Sequence, residues 1–389
     1  MNKDAQQLIL VQGAAGTGKT VLLSSLFYDL FQGGSDRETD VFDYQNLNSY
    51  LLVNHDEQLQ VYQTIARRLL IEDAKNPRVM KPTKFINEHD PHDEPVDVVL
   101  IDEAHLLWTQ GKQSYRGENQ LKDIMQRARI VVAIFDPAQA LAGNQYWDEQ
   151  NKAWLDKHET ITLKGQMRID SDGPACQWIE DFGRRGVIGN IPSDDKYQIK
   201  IFSSPNDLHE AIRLKATDNS EVENGISRLL ATYDWPYNAN KKKEDDGSGS
   251  KTWDVVIGDW AMPWNYQVEF SYKEKVENRG RSWAEKKKTI NEVGSIFTIQ
   301  GFDLNYAGVI IGPSVKFRDG KVVFDRDASH NQNVTKKRTI SDGSKVELHD
   351  ELLQNQLNVL LTRGVHGLYI YAVDEELQAE LLRAQNRLL

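Results

Sequence analysis

Gly13-Ala14-Ala15-Gly16-Thr17-Gly18-Lys19-Thr20 matches G-x-x-x-x-G-K-[ST] in full. A loop of this kind suits one chemistry, the cradling of a polyphosphate. Its glycines let the backbone curl until N–H groups point at phosphate oxygens, and a helix opening at its end adds partial positive charge. Lys19 then reaches the β- and γ-phosphates, and the Thr20 hydroxyl is a ligand for Mg2+. A second reactive group, Asp102-Glu103-Ala104-His105, directly follows Val98-Val99-Leu100-Ile101. Downstream of a phosphate loop, Asp102 is the expected Mg2+ partner and Glu103 the group that orients and deprotonates an attacking water. His105 either couples this site to a second lobe or caps a turn.

Both groups need rigid supports, and the flanking pattern supplies them. Leu8–Val11 reads as a buried strand leading into the loop. Leu22, Leu23, Leu26, Phe27, Leu30 and Phe31 recur at helical spacing after it. Further strands are expected at Tyr50–Val53, Val96–Ile101 and Ile130–Phe135, with helices at Glu57–Leu70 and around Asn119–Ala128. Strands that are continuously apolar and alternate with helices imply a parallel sheet covered on both faces. The second half repeats the theme. Strands are expected at Ile199–Phe202, Asp254–Ile257, Ser295–Ile299, Gly308–Ile311 and Leu368–Val373, and helices at Leu208–Ala216, Leu352–Leu361 and Glu375–Arg387. Asn238–Lys251 reads as a solvated loop. The expected organisation is two α/β lobes, residues 1–160 and 161–389, with a loop or accessory insertion near 236–290.

Composition narrows the class. The 389 residues include one Cys, nine Trp, 14 Tyr and 12 Phe. A single cysteine excludes an intramolecular disulfide framework and fits a reducing, cytoplasmic setting. The aromatic content argues against wholesale disorder. No apolar run approaches the ~20 residues of a membrane span, and Met1-Asn2-Lys3-Asp4 lacks the order of a signal peptide. Lys and Arg number 47 against 58 Asp and Glu, a net charge of −11. That excludes coating of nucleic acid by bulk charge while leaving room for a local basic groove.

Taken in order, the motifs resemble those of superfamily 1 helicases, whose core is two RecA-like P-loop lobes. Asp136-Pro137-Ala138-Gln139 is similar to that family's G-D-x-x-Q, with Phe135 in place of the Gly. Leu163-Lys164-Gly165-Gln166-Met167-Arg168 is similar to the segment that carries an arginine. The run from Ser295 to Asp303 is similar to T-x-x-x-x-Q-G-x-E, with Ser for Thr and Asp for Glu. Val359-Leu360-Leu361-Thr362-Arg363-Gly364 is similar to V-A-L-T-R-A. The wording IDEAHLLW, IFDPAQAL, LKGQMRID, GSIFTIQGFDLNYAGVIIG and NVLLTRGVHGLYIY most resembles the Schlafen-group-3-like DNA/RNA helicase domain, from about Leu8 to Leu381. The resemblance implies ATP as the nucleotide and Gln139 as a γ-phosphate sensor. It implies Arg168 and Arg363 as charge-bearing arginines, and Gln300, Gly301 and Asp303 as further nucleotide-site residues. Relatives often carry a nuclease or other domain ahead of this core; because the sequence opens on its first strand, none is expected here.

The same resemblance places single-stranded DNA or RNA against Asn54, His55, Phe297 and Thr298. Independently, 273–288 (KEKVENRGRSWAEKKK) holds seven basic and three acidic residues around Trp283, a pattern that fits strand contact or a solvated face. Trp253, Trp260 and Trp264 read as core. The leading expectation is a nucleic-acid-dependent ATPase, a minimal helicase or translocase. The alternative is a nucleotide-operated switch that signals to a protein partner without unwinding. Without a metal-ligand cluster beyond Asp102–Glu103, a nuclease ranks below both.

Overall fold

A computed structural model describes residues 6–13, 16–32, 47–73, 75–111, 114–136, 139–140, 142–163, 169, 173–217, 226–239, 243, 250–299, 301–340 and 342–386. The chain divides into two units, residues 1–167 with 338–346, and residues 168–337 with 347–389.

In the first unit the chain runs β1 (Gln7–Gln12), α1 (Lys19–Gln32), β2 (Ser49–Val53), α2 (Asp56–Arg68), β3 (Val79–Met80), α3 (Pro82–Glu88), β4 (Val96–Asp102), α4 (Gln120–Met125), β5 (Ala128–Phe135), α5 (Glu149–Leu155) and β6 (Glu159–Thr162). The six strands form a parallel sheet in the order β3-β2-β4-β5-β1-β6. Successive residues of β4 enter different cores. Val98 and Leu100 pack with Leu23 and Phe27 of α1 and Tyr62 and Ala66 of α2, while Val99 and Ile101 join Phe85, Leu121 and Ile124 on the opposite face. This two-sided burial is why β4 reads as an unbroken apolar run. The edge strand β6 (ETIT) is exposed throughout, in keeping with its polar sequence.

The second unit contains α6 (Pro174–Arg185), β7 (Gln198–Ile201), α7 (Pro205–Thr217), β8 (Arg228–Ala231), β9 (Asp254–Ile257), β10 (Trp260–Pro263), α8 (Tyr272–Glu277), β11 (Val293–Gly294), α9 (Ile296–Ile299), β12 (Leu304–Ile311), β13 (Val315–Arg318), β14 (Lys321–Phe324) and α10 (Gln332–Thr335). Strands β15 (Arg338–Thr339) and β16 (Lys345–Val346) pair as a hairpin within the segment assigned to the first unit, before α11 (His349–Leu361), β17 (Gly364–Ala372) and α12 (Glu375–Asn386) complete the second. Its main sheet is parallel, in the order β11-β8-β12-β17-β7. Leu208 and Ile212 of α7 cover one face of it, together with Trp264, Val255 and Met262 from the β9–β10 region. Both units are thus α/β with parallel sheets flanked by helices.

Two expected strands turn out differently. Asp254–Ile257 is a strand, but it pairs antiparallel with β10 in a separate hairpin. Ser295–Ile299 is expected as a strand from its β-branched residues, yet Ile296–Ile299 forms a helical turn. The Ser295 N–H donates to Thr298 Oγ1 at 2.8 Å, and the Phe297 N–H donates to Ser295 Oγ at 3.2 Å. These side chains satisfy the backbone locally and outweigh the propensity of Ile and Phe for a ladder. The preceding Gly294 sits where a Cβ would lie 2.5 Å from the Trp283 ring, so no larger residue fits beneath it.

Candidate functional site

Strand β1 delivers the chain to Gly13, and α1 starts at Lys19. Ala14 and Ala15 lie outside the described residues. Gly16 and Gly18 have φ of 84° and 82°, the left-handed region that glycine enters without steric penalty. A Cβ on Gly13 would come within 2.4 Å of Thr17 Oγ1 and 3.2 Å of the Leu163 carbonyl. The loop therefore closes too tightly on itself for a side chain at that position. Thr17 and Lys19 are buried, whereas Thr20 is exposed in the first turn of α1. Lys19 Nζ donates to the Gly13 carbonyl at 2.6 Å and lies 3.5 Å from Asp136 Oδ2.

Strands β4 and β5 are neighbours, with β1 on the far side of β5, so their carboxyl ends place Asp102, Asp136 and the glycine loop along one edge. Ligands of open parallel sheets bind at that edge. Asp102 is fully buried, and its carboxyl is pushed well above the ordinary carboxylate range by burial and then by the neighbouring Glu103 charge. Oδ2 accepts from Gln58 Nε2 at 2.7 Å and from the Tyr62 hydroxyl at 2.9 Å; Oδ1 accepts the Glu103 N–H at 3.0 Å. Burial, followed by the charge of Asp102, pushes the Tyr62 hydroxyl far up.

Glu103 holds φ 51° and ψ 48°, a conformation uncommon for a residue with a side chain. Its Oε2 lies 3.3 Å from Nε2 of the fully buried His105, close enough for attraction to a charged ring, although not aligned as a hydrogen bond. His105 Nδ1 accepts the Asp136 N–H at 3.3 Å, which leaves the proton of the neutral ring on Nε2, facing Glu103. Asp136 Oδ2 in turn accepts Gln139 Nε2 at 2.7 Å. Lys19, Asp102, Glu103 and Gln139 therefore share one edge of the first unit and are wired through His105 and Asp136. Sequence reasoning gave Asp136 no role and His105 two alternatives. It passed over Gln58 and Tyr62, whose signal was two polar groups one helical turn apart on the buried face of α2.

A polyphosphate fits this arrangement, because the glycine curl leaves no room for a Cβ and sets a lysine at its mouth. No cluster of three or more His, Cys, Asp or Glu able to hold a metal occurs among the described residues. Mg2+ needs no such cage, since it binds through one or two protein oxygens together with phosphates and water.

In the second unit, Arg168 and Gln300 lie outside the described residues. Gly301 takes φ 82° in the turn before β12, and Asp303 immediately precedes that strand. Arg363 is buried at the end of α11. Its Nε donates to the Val359 carbonyl at 2.9 Å and its Nη1 to the Phe302 carbonyl at 3.4 Å. The arginine thus joins two of the motif segments within this unit.

The candidate strand contacts are occupied structurally. Asn54 Nδ2 donates to the Leu106 carbonyl at 2.6 Å, and His55 caps α2 by accepting the Gln58 N–H. Thr298 is buried in the Ser295 turn, while Phe297 is half-buried with its ring 5.3 Å from Tyr233, edge to face. Trp283 cannot stack on a base. It is fully buried, and its Nε1 donates to Glu292 at 3.2 Å. Within the basic run, Lys288 pairs with Glu274 at 2.7 Å and Lys286 Nζ donates to the Tyr266 hydroxyl at 2.8 Å. Trp264 is fully buried, with Trp253 and Trp260 packed against the same core. Among the described residues no helix is long and apolar enough to cross a membrane.

Comparison with known proteins places this site in context. An uncharacterized protein of Saccharomyces cerevisiae, YPL245W, is 34% identical over 410 residues, an alignment covering 98% of this chain and 85% of the relative. Among solved structures, the Arterivirus nonstructural protein 10 helicase is 12% identical with a TM-score of 0.39, and its complex with DNA is 12% identical with a TM-score of 0.41. These alignments cover 96% and 95% of this chain but only 61% of each viral chain. The model of the Schlafen group 3 DNA/RNA helicase domain matches residues 6–374, the span that holds the glycine loop, the acidic strand end and the arginine segments. The chain belongs to the Schlafen group 3 DNA/RNA helicase domain family.

Proposed function

We propose that this chain is a nucleic-acid-dependent ATPase, a minimal helicase or translocase. The observation that carries the reading is the shared carboxyl edge of β1, β4 and β5, where Lys19, Asp102, Glu103, Asp136 and Gln139 converge. The backbone of 13–18 binds phosphates, and Lys19 leaves the Gly13 carbonyl to bear β/γ-phosphate charge. Thr20 and Asp102 are the residues that would hold Mg2+, which when bound neutralises phosphate charge. Glu103 orients an attacking water and takes its proton. Gln139, anchored on Asp136, reads the terminal phosphate. Family membership supports DNA or RNA as the polymer that stimulates turnover.

The test is the rate of ATP hydrolysis by the full chain with and without single-stranded DNA, single-stranded RNA and duplex, at two salt concentrations. A large stimulation by a single strand is expected, together with loss of turnover in Lys19→Ala. Unchanged turnover in Lys19→Ala would falsify the assignment of the loop. Turnover indifferent to every polymer would replace the motor with a nucleotide-operated switch.

A further inference from the structure

Asp102 is a buried carboxylate, and the two donors on its Oδ2 both come from one helix. Gln58 and Tyr62 are four residues apart on α2, so they lie on the same face, and both are buried. They converge on a single oxygen, at 2.7 and 2.9 Å. The Tyr62 hydroxyl also lies 3.4 Å from Ser24 Oγ on α1, four residues beyond Thr20. The helix is aimed as well as packed, since His55 caps its start and Asn54 ties the preceding residue to the Leu106 carbonyl beside the acidic pair. Apolar side chains at 58 and 62 would serve α2 equally well as core. A glutamine and a tyrosine instead spend their donors on Asp102.

Two donors on Oδ2 fix the rotation of the carboxylate. Oδ1 then takes only the Glu103 N–H among the described residues and keeps a lone pair for a further partner. A carboxylate that must hold a divalent cation gains affinity when its orientation is set in advance, and loss of such supporting hydrogen bonds typically weakens the metal by 10–100-fold.

We propose that Gln58 and Tyr62 are positioning residues that orient Asp102 for a nucleotide-bound divalent cation. The inference rests on the reading in which Asp102 holds Mg2+, and the experiment keeps the two separable. ADP binding to the full chain is measured by titration calorimetry, first in EDTA and then across a Mg2+ series. The proteins compared are wild type, Tyr62→Phe, Gln58→Leu, Asp102→Asn, and Tyr62→Phe combined with Asp102→Asn. Thermal unfolding is followed in parallel to identify any variant that does not fold.

Tyr62→Phe removes one oxygen and Gln58→Leu preserves bulk. Each is expected to raise the Mg2+ concentration for half-maximal enhancement of ADP binding by about tenfold, with metal-free ADP affinity unchanged. In the Asp102→Asn background, Tyr62→Phe should add nothing further. If Asp102→Asn abolishes the Mg2+ enhancement while both α2 variants titrate like wild type, positioning is overturned and the metal reading survives. If Asp102→Asn itself keeps the full enhancement, the metal reading and this inference fall together. A loss of metal-free ADP binding in the folded Tyr62→Phe protein would assign Tyr62 to the architecture of the loop and overturn the proposal.

Discussion

Lys19 Nζ rests 3.5 Å from Asp136 Oδ2, across the carboxyl ends of neighbouring strands, while the same carboxylate oxygen receives Gln139 Nε2 at 2.7 Å. Lys19 and Gln139 thus meet on a single acid. On the proposed reading, a nucleotide competes with Asp136 for Lys19, while Asp136 keeps Gln139.

Asp136→Asn tests that competition. Removing the negative charge beside Lys19 should strengthen nucleotide binding by about three- to tenfold, because the phosphate no longer displaces an ion partner. Turnover should fall, as Gln139 exchanges a charged acceptor for a neutral one. Equilibrium binding and steady-state rates check both halves. Weaker nucleotide binding would show that Asp136 helps to hold the ligand rather than competing with it.

Glu103→Gln keeps the size of the side chain and removes its basicity. Nucleotide affinity should stay within about threefold, and turnover should fall by about 10²–10⁴-fold, the range for loss of a general base. The comparison is made in single-turnover kinetics at saturating ATP. An unaffected chemical step would remove Glu103 from the reaction.

Arg363→Ala separates two contributions of one side chain. Its guanidinium serves the Val359 and Phe302 carbonyls in a buried setting, so truncation should cost about 1–3 kcal/mol from unsatisfied groups, read as a lower midpoint in urea. If the family role also applies, turnover at a temperature where the variant is folded should drop at least tenfold, with ATP binding kept. A folded variant with wild-type turnover would confine Arg363 to architecture.

Asp234 predicts a pH dependence of stability in the second unit. Its carboxylate is buried and pushed up to about 6, chiefly by desolvation, although Oδ2 accepts from the Thr232 hydroxyl and the Ser314 N–H. A folded value above the ordinary 3.8 means that the favourable contribution is full below about pH 4 and is lost as pH rises through about 6. Asp234→Asn retains an acceptor for both donors and cannot ionise. Relative to wild type, the variant should gain stability between pH 4.5 and 7.5, on the order of 2 kcal/mol. Urea denaturation at the two pH values measures it, and a constant difference between the proteins would refute the assignment.

Trp283 supplies a prediction about the basic run. With Trp283 in the core and Lys273, Lys286 and Lys288 paired with Glu277, Tyr266 and Glu274 respectively, strand contact within 273–288 is left to the exposed Lys275, Arg279, Arg281 and Lys287. Neutralising those four should flatten the salt dependence of oligonucleotide binding if the run touches the backbone. Trp283→Ala should lower stability by about 3–5 kcal/mol. An unchanged salt slope would remove the run from the interface.

Where one signal decided an element, it was legible from the residues. β1, β4 and β5 announce themselves because each is apolar on both faces, and the glycine loop because its chemistry tolerates few alternatives. Legibility failed where polar side chains rewire the backbone, as at Ser295 and Thr298, whose hydroxyls turn a β-branched run into a helical turn. It failed again for β8, the run Arg228-Leu229-Leu230-Ala231, which is buried throughout yet too short and too mixed to stand out. Within the site, the acids were visible as a motif. The holders of Asp102, Gln58 and Tyr62, were not, and Asp136 was visible only as a motif letter without its contacts to Lys19 and His105, since proximity between separate elements leaves no trace in sequence spacing.

The excursion of 338–346 bears on how this protein can be dissected. Arg338 is buried and donates to the carbonyl and hydroxyl of Thr109 and to the Gly143 carbonyl. A fragment ending near residue 167 would strip those acceptors of their guanidinium. The lobe that carries the phosphate loop is therefore discontinuous along the chain, and any attempt to express it alone must graft the returning hairpin back on.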